Sequence, residues 1–124
     1  MLFKNVLWIA LGGGLGSVLR YLAHKWISSA TTNPFPLGTL LVNVIGCLLI
    51  GIFFALSLRQ NYLSTELKLF LMTGLCGGFT TFSAFTLEGM NLINEQRLLV
   101  FFLYFSCSIV LGLAATFAGY LLAR

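Results

Sequence analysis

The chain has 124 residues, room for one ordinary domain, and 59% of them are hydrophobic before its 13 glycines are counted. Charged residues make up 8%, where a soluble domain carries about 25%, so they cannot solvate a water-exposed surface; with a mean hydropathy of +0.99 the chain is expected in a lipid bilayer. The net charge of +4 comes from cations scattered singly, which excludes a nucleic-acid partner and suits anchors at the ends of membrane spans.

A helix crossing about 30 Å of hydrocarbon needs about 20 mostly apolar residues. Charge-poor intervals at about 5–26, 37–58, 67–93 and 98–122 predict four transmembrane helices, an all-α membrane fold in which 1–124 form a single four-span domain. The first interval follows Lys4 and superficially resembles a signal peptide. No small-residue cleavage site precedes a polar region, so it reads as a retained span. His24, Lys25 and Trp26 mark its far interface, and the turn Asn33-Pro34-Phe35-Pro36 leads into the second span. Cys47, Cys76 and Cys107 are odd in number and each lies in an apolar stretch, as expected of reduced, buried thiols.

With four spans both termini share a side. That side carries Lys4, Arg59, Lys68 and Arg124, against Arg20, Lys25 and Arg97 on the other. Such a small bias leaves two readings, termini in the cytoplasm or insertion in both directions with copies pairing antiparallel. Fifteen residues separate Lys4 from Arg20, too few to cross, so Arg20 is expected near membrane depth or snorkelling to the interface. Glu88 lies close to the apolar zone as well, and an intramembrane charge is by default functional.

Mid-way along the third span stands Gly74-Leu75-Cys76-Gly77-Gly78-Phe79-Thr80-Thr81-Phe82-Ser83-Ala84-Phe85, rich in residues that favour helix poorly. A break there is predicted, with Gly77 in a backbone geometry that a β-branched residue would resist. Hydrocarbon does not tolerate unsatisfied backbone, so a break must be buried in protein or line a polar cavity. Close helix packing accounts for Gly74 and Gly78, one turn apart, but not for the hydroxyl residues after them. Phe82 and Phe85 share a helix face; they are either packing residues or ring edges, positive at the rim, turned towards a small anion.

The run Gly74-x-x-Gly77-Gly78-x-Thr80-Thr81-Phe82-Ser83-x-Phe85 resembles the signature of the small bacterial fluoride channels (Fluc, or CrcB). The resemblance extends to Gly12-Gly13-x-x-Gly16-x-x-x-Arg20-Tyr21 and Gly38-Thr39-Leu40-x-Val42-Asn43-x-x-Gly46, and so covers nearly the whole chain. Ala84 departs from it, standing where the family more often has Thr.

The resemblance implies an antiparallel, dual-topology homodimer in the bacterial inner membrane. It implies a structural sodium ion at the dimer centre, held by the backbone carbonyls of Gly77 and Thr80. Phe82 and Phe85 would line the fluoride pores, Asn43 would donate to an anion in transit, and Arg20 would face an aqueous vestibule. In the fourth span Tyr104, Ser108 and Gly112 repeat every four residues; the stripe serves packing or a hydroxyl track lining the pore, and both readings stand. The activity implied is passive fluoride export, with fluoride, membrane lipid and a second copy as partners. No catalysis is expected, since the sequence holds no P-loop, no H-E-x-x-H and no nucleophile–base pair. Two rivals remain: a four-span multidrug/proton antiporter, which would need a carboxylate in the first span that is missing here, and a non-transporting membrane assembly subunit.

Overall fold

The computed structural model describes residues 1–59 and 62–124. Helix α1 runs over Leu2–Ser29 and α2 over Leu37–Ser57. The third span, Thr65–Asn94, is assembled from α3 (Thr65–Lys68), a π-helical stretch (Leu69–Cys76), α4 (Gly77–Phe79) and α5 (Phe82–Asn94). Helix α6 covers Leu98–Ala123. Among the described residues four helical spans are long and apolar enough to cross a membrane.

Local chemistry sets the boundaries. Before α2, the Asn33 side-chain Oδ1 accepts from the Phe35 amide at 2.9 Å and Pro36 occupies the N-cap, so the chain turns and then enters the helix. Ser64 caps α3 by accepting from the Leu67 amide at 3.1 Å. The sharp turn between α5 and α6 is a Schellman closure: Gln96 adopts φ 60°, its amide donates to Ile93 O at 3.0 Å, and the Arg97 amide donates to Leu92 O at 2.8 Å.

Apolar attraction between helices is weak in lipid, so close packing depends on small residues. Helix α1 lies against the third span through Gly12 and Gly16, where a Cβ would meet the backbone at Phe70 and Leu75. Gly51 of α2 and Gly119 of α6 are set in the same way against backbone at Thr116 and Leu48. Leu40, Phe85, Leu92 and Tyr104 form the buried core, with Phe35, Phe101 and Phe105 packed on it. The outer faces are apolar: Leu99, Phe102, Ile109 and Val110 of α6 are all exposed. Cys47, Cys76 and Cys107 are free thiols, Cys76 buried and the other two half-buried.

Two ties mark one end of the bundle. Lys4 Nζ lies 3.4 Å from Glu66 Oε1, and Arg59 Nη2 donates to Ala123 O at 2.8 Å.

The break is narrower than the glycine-rich run suggests. Only Thr80 (φ −83°, ψ 156°) and Thr81 (φ −148°, ψ 120°) leave the helix. The expectation of unusual geometry at Gly77 is corrected: it is helical at φ −62°, ψ −37°. Gly78 serves packing instead, since a Cβ there would run into the Gly13 backbone. The wider i→i+5 bonding of Leu69–Cys76 was not expected from the residues.

Candidate functional site

Where α4 ends, its last carbonyls lose their partners one turn on, and where α5 begins its first amides have none. The chain supplies replacements from other helices. Asn43 of α2 reaches the break with its amide: Thr81 N donates to Oδ1 at 2.8 Å and Nδ2 donates to Thr81 O at 3.1 Å. From α1, Arg20 Nε donates to Gly78 O at 3.0 Å. Thr81 then caps α5, its Oγ1 accepting from the Ala84 amide at 3.2 Å, while Thr80 Oγ1 folds back to donate to Cys76 O at 2.9 Å. Position 84 thus contributes its backbone N–H to the cap.

Of these residues Asn43, Cys76, Thr80 and Thr81 border a cleft of about 480 Å³. Of the residues expected to form a site, it brings together Asn43, Gly77, Thr80, Phe82, Phe85 and Ser108. The two phenylalanines contact one another, ring centroids 5.7 Å apart, but differ in setting. Phe85 is 8% exposed and stacks on Phe105 at 4.1 Å, whereas Phe82 is 75% exposed. Ser108 Oγ is buried without a hydrogen-bond partner among the described residues. A buried hydroxyl left unpaired costs about 1–3 kcal/mol, and this one stands beside the cleft.

Arg20 and Tyr104 lie outside that lining. Arg20 is committed through Nε to the end of α4 rather than only to an open vestibule. Tyr104 is fully buried, packs edge-on to Phe85 with centroids 5.1 Å apart, and donates its hydroxyl to Glu88 Oε1 at 3.1 Å. Glu88 faces a second, polar pocket of about 310 Å³, whose lining includes His24, Asn33, Asn91 and Glu95. Thr39, on the same stripe as Asn43, is 1% exposed and its hydroxyl too lacks a partner among the described residues. The pairing of Glu88 with Tyr104 and the approach of His24 to Glu88 are long-range contacts that no spacing in the chain announces.

A hard cation seeks oxygen ligands. Among the described residues no group of three His, Cys, Asp or Glu could hold a metal, so a cation at the break would have to draw on backbone oxygen. The break fits that role: the Thr81 amide, which an unbroken helix would direct to Gly77 O, is given to Asn43 instead. Gly77 and Thr80 both line the cleft at the end of α4, and their carbonyls would be the oxygens offered to a cation held there without a permanent negative charge.

Four membrane-capable helices, one of them interrupted at an aromatic and hydroxyl-lined cleft, define a multi-pass membrane protein with the discontinuous helix that ion-handling proteins use. The family model for "CrcB-like protein, Camphor Resistance (CrcB)" matches residues 7–120, and the chain belongs to that family. It is 51% identical over 121 residues to a fluoride-specific ion channel FluC of Flavobacterium psychrophilum, covering 98% of both chains. It is 47% identical to the fluoride-specific ion channel FluC of Bacteroides fragilis, covering 94% of this chain and 93% of the other. With the protein of the same description from Azobacteroides pseudotrichonymphae it shares 41% identity over 123 residues, 99% of this chain and 98% of the relative.

Proposed function

We propose that this chain is a fluoride-selective ion channel that lets fluoride leave the cytoplasm passively, lowering its concentration there. The observation that carries the proposal is the interrupted third span: the two extended residues Thr80 and Thr81, the latter pinned by Asn43, open onto a cleft that gathers Phe82, Phe85 and the Ser108 hydroxyl, unpartnered among the described residues. Close relatives bearing the name fluoride-specific ion channel support the same reading. Amide, hydroxyl and ring-edge donors replace the hydration of a small anion without a full positive charge to trap it.

Passive flow suffices for export. Hydrofluoric acid enters as the neutral molecule, dissociates at the higher cytoplasmic pH and leaves the anion trapped. An inside-negative potential drives each fluoride outward with about 2.3 kcal/mol per 100 mV. Neither nucleotide hydrolysis nor proton exchange is required, so the work of the chain is transport rather than catalysis.

The proposal includes two identical chains paired antiparallel in the bacterial inner membrane, with a sodium ion at their centre on the carbonyls of Gly77 and Thr80. The near balance of cations across the two sides and the exposed Phe82 favour this arrangement, since a second copy would cover that ring. A subunit that only packs would leave the interrupted third span and the cleft at its break without a purpose. Purified protein in liposomes decides the matter. Fluoride efflux followed by electrode, with chloride run beside it, is expected to be fast for fluoride and absent for chloride; equal passage of both, or of neither, overturns the proposal.

A further inference from the structure

In an unbroken helix the carbonyls of Gly77 and Gly78 would accept from the amides of Thr81 and Phe82, four residues on. With Thr80 and Thr81 extended, neither bond forms, and each has a replacement from another span. Asn43 of α2 accepts the Thr81 amide at 2.8 Å. From α1, Arg20 Nε donates to Gly78 O at 3.0 Å, on the oxygen that the Phe82 amide would otherwise reach.

We propose, on the channel reading above, that Arg20 is a positioning residue for fluoride passage. Its Nε–H stands in for the Phe82 N–H on Gly78 O, keeps α4 from rejoining α5, and so fixes where Phe82 stands at the cleft. One N–H carries this role, not the positive charge.

Packing delivers the side chain to that oxygen. Gly12, Gly16 and Arg20 recur every four residues and share one face of α1. A Cβ on Gly12 would meet the backbone at Phe70, and one on Gly16 would meet Leu75 and, at 2.9 Å, the Phe79 nitrogen. The contact thus advances along the third span, and Arg20 comes next on that face, at the end of α4. Among the described residues no carboxylate lies within ion-pair distance of Arg20; the ion pairs are those of Lys4, His24 and Arg97. A guanidinium at the C-terminal end of a helix is favoured by the helix dipole, and its bond to a carbonyl is charge-assisted. Phe82 opens α5 directly after the two extended residues, so its ring follows the geometry of the break. That ring lines the cleft 5.7 Å from Phe85.

The side chain of Gln sets an N–H donor as many bonds from Cα as Nε of Arg. Arg20→Gln therefore keeps the donor and drops the charge, while Arg20→Met keeps the length and has neither. Equal amounts of monodisperse protein in liposomes, assayed below the melting temperature of each variant, give the maximal rate of fluoride efflux. Arg20→Met is expected to lose roughly tenfold or more of that rate, and Arg20→Gln to regain most of the loss. A para-fluorophenylalanine at position 82 reports the ring itself: its fluorine resonance in detergent is expected to coincide in the parent and Arg20→Gln and to move in Arg20→Met. Equal losses of flux in the two variants would assign Arg20 to charge alone and overturn the inference, as would parent-like flux or an unmoved resonance in Arg20→Met. If Arg20→Met yields no folded protein, Arg20→Gln decides alone: a tenfold loss of rate or a moved resonance there overturns the inference, and a rate and resonance close to those of the parent uphold it. A parent that passes no fluoride overturns the channel reading instead, and the resonance still tests whether Arg20 sets the place of Phe82.

Discussion

Asn43 and Thr81 pair as two strands of a sheet would, the side-chain amide of one standing in for a peptide group against the backbone of the other, at 2.8 and 3.1 Å. An extended residue inside a membrane span has an N–H and a C=O that no helix satisfies, and each costs several kcal/mol in hydrocarbon. The clamp removes both debts with one side chain. Asn43 also lines the cleft and its amide nitrogen carries a second N–H, so under the proposed function the residue that stabilises the break could also serve an anion there.

Asn43→Ala leaves both Thr81 groups unpaired and is expected to cost about 1–3 kcal/mol for each, read as a lower unfolding temperature in detergent. Asn43→Asp keeps an acceptor for the Thr81 amide but sets a negative oxygen against the Thr81 carbonyl and against fluoride. Its flux is expected to fall by roughly tenfold or more, about 1.4 kcal/mol or more on the barrier. Normal flux in Asn43→Asp would mean that the amide does no more than hold the break.

The adjacent glycines are expected to behave oppositely. At Gly78 an added methyl collides with the Gly13 backbone, and neither helix can give way without moving the break. Gly78→Ala should cost at least about 1–3 kcal/mol and yield little folded protein. At Gly77 the nearest atom to such a methyl is Met72 O at 4.0 Å, and the backbone is helical. Gly77→Ala should fold as well as the parent or gain about 0.5–1 kcal/mol. Size-exclusion profiles and melting curves of the two variants check this, and equal behaviour would contradict the packing of α1 on α4.

The span count was legible because hydropathy over about 20 residues is a strong signal. The location of the break was legible only approximately. Glycine marks both helix breaks and close backbone contact, and in this chain the two uses stand side by side: Gly74 and Gly78 are contact residues, while the break falls on Thr80 and Thr81. A π-helical stretch such as Leu69–Cys76 reflects how hydrogen bonds are shared along a helix under packing, which these residue types do not encode. Arg20 with Gly78 and Asn43 with Thr81 pair across 58 and 38 residues, and His24 meets Glu88 on a different span; only the packed helices bring such partners together. The departure at Ala84 matters little to the cap, because Thr81 takes the Ala84 amide and no hydroxyl at that position is needed for it.

The proposed antiparallel pairing depends on insertion in both directions. Lys4 beside Glu66 and Arg59 beside Ala123 place those cations at one end of the bundle, the end that also bears both termini. Two further Lys residues at the C-terminus should bias that end to the cytoplasm. Expressed alone, such a variant is expected to lose flux for want of oppositely oriented partners, and to regain it when a variant biased the other way is supplied. Accessible cysteine labels that report a single orientation for the unmodified chain would rule out dual topology.

Phe82 and Phe85 permit a sharper test than either alone, because one stands in the core and the other outside it. Replacing either with Ile keeps apolar volume roughly constant, and such exchanges usually cost under about 1.5 kcal/mol. Phe85→Ile also loses its stack on Phe105 at 4.1 Å and its edge contact with Tyr104, worth about 0.5–1.5 kcal/mol each beyond area. A measurable drop in melting temperature is expected there. Phe82, 75% exposed in the single chain, should leave the fold of the chain unaffected when changed. Flux should separate the roles from stability: if both ring edges carry the anion, both variants lose most fluoride efflux although only one is destabilised. Efflux that falls only in Phe85→Ile, in step with its stability, would assign the pair to packing and leave the anion to the amide and hydroxyl donors.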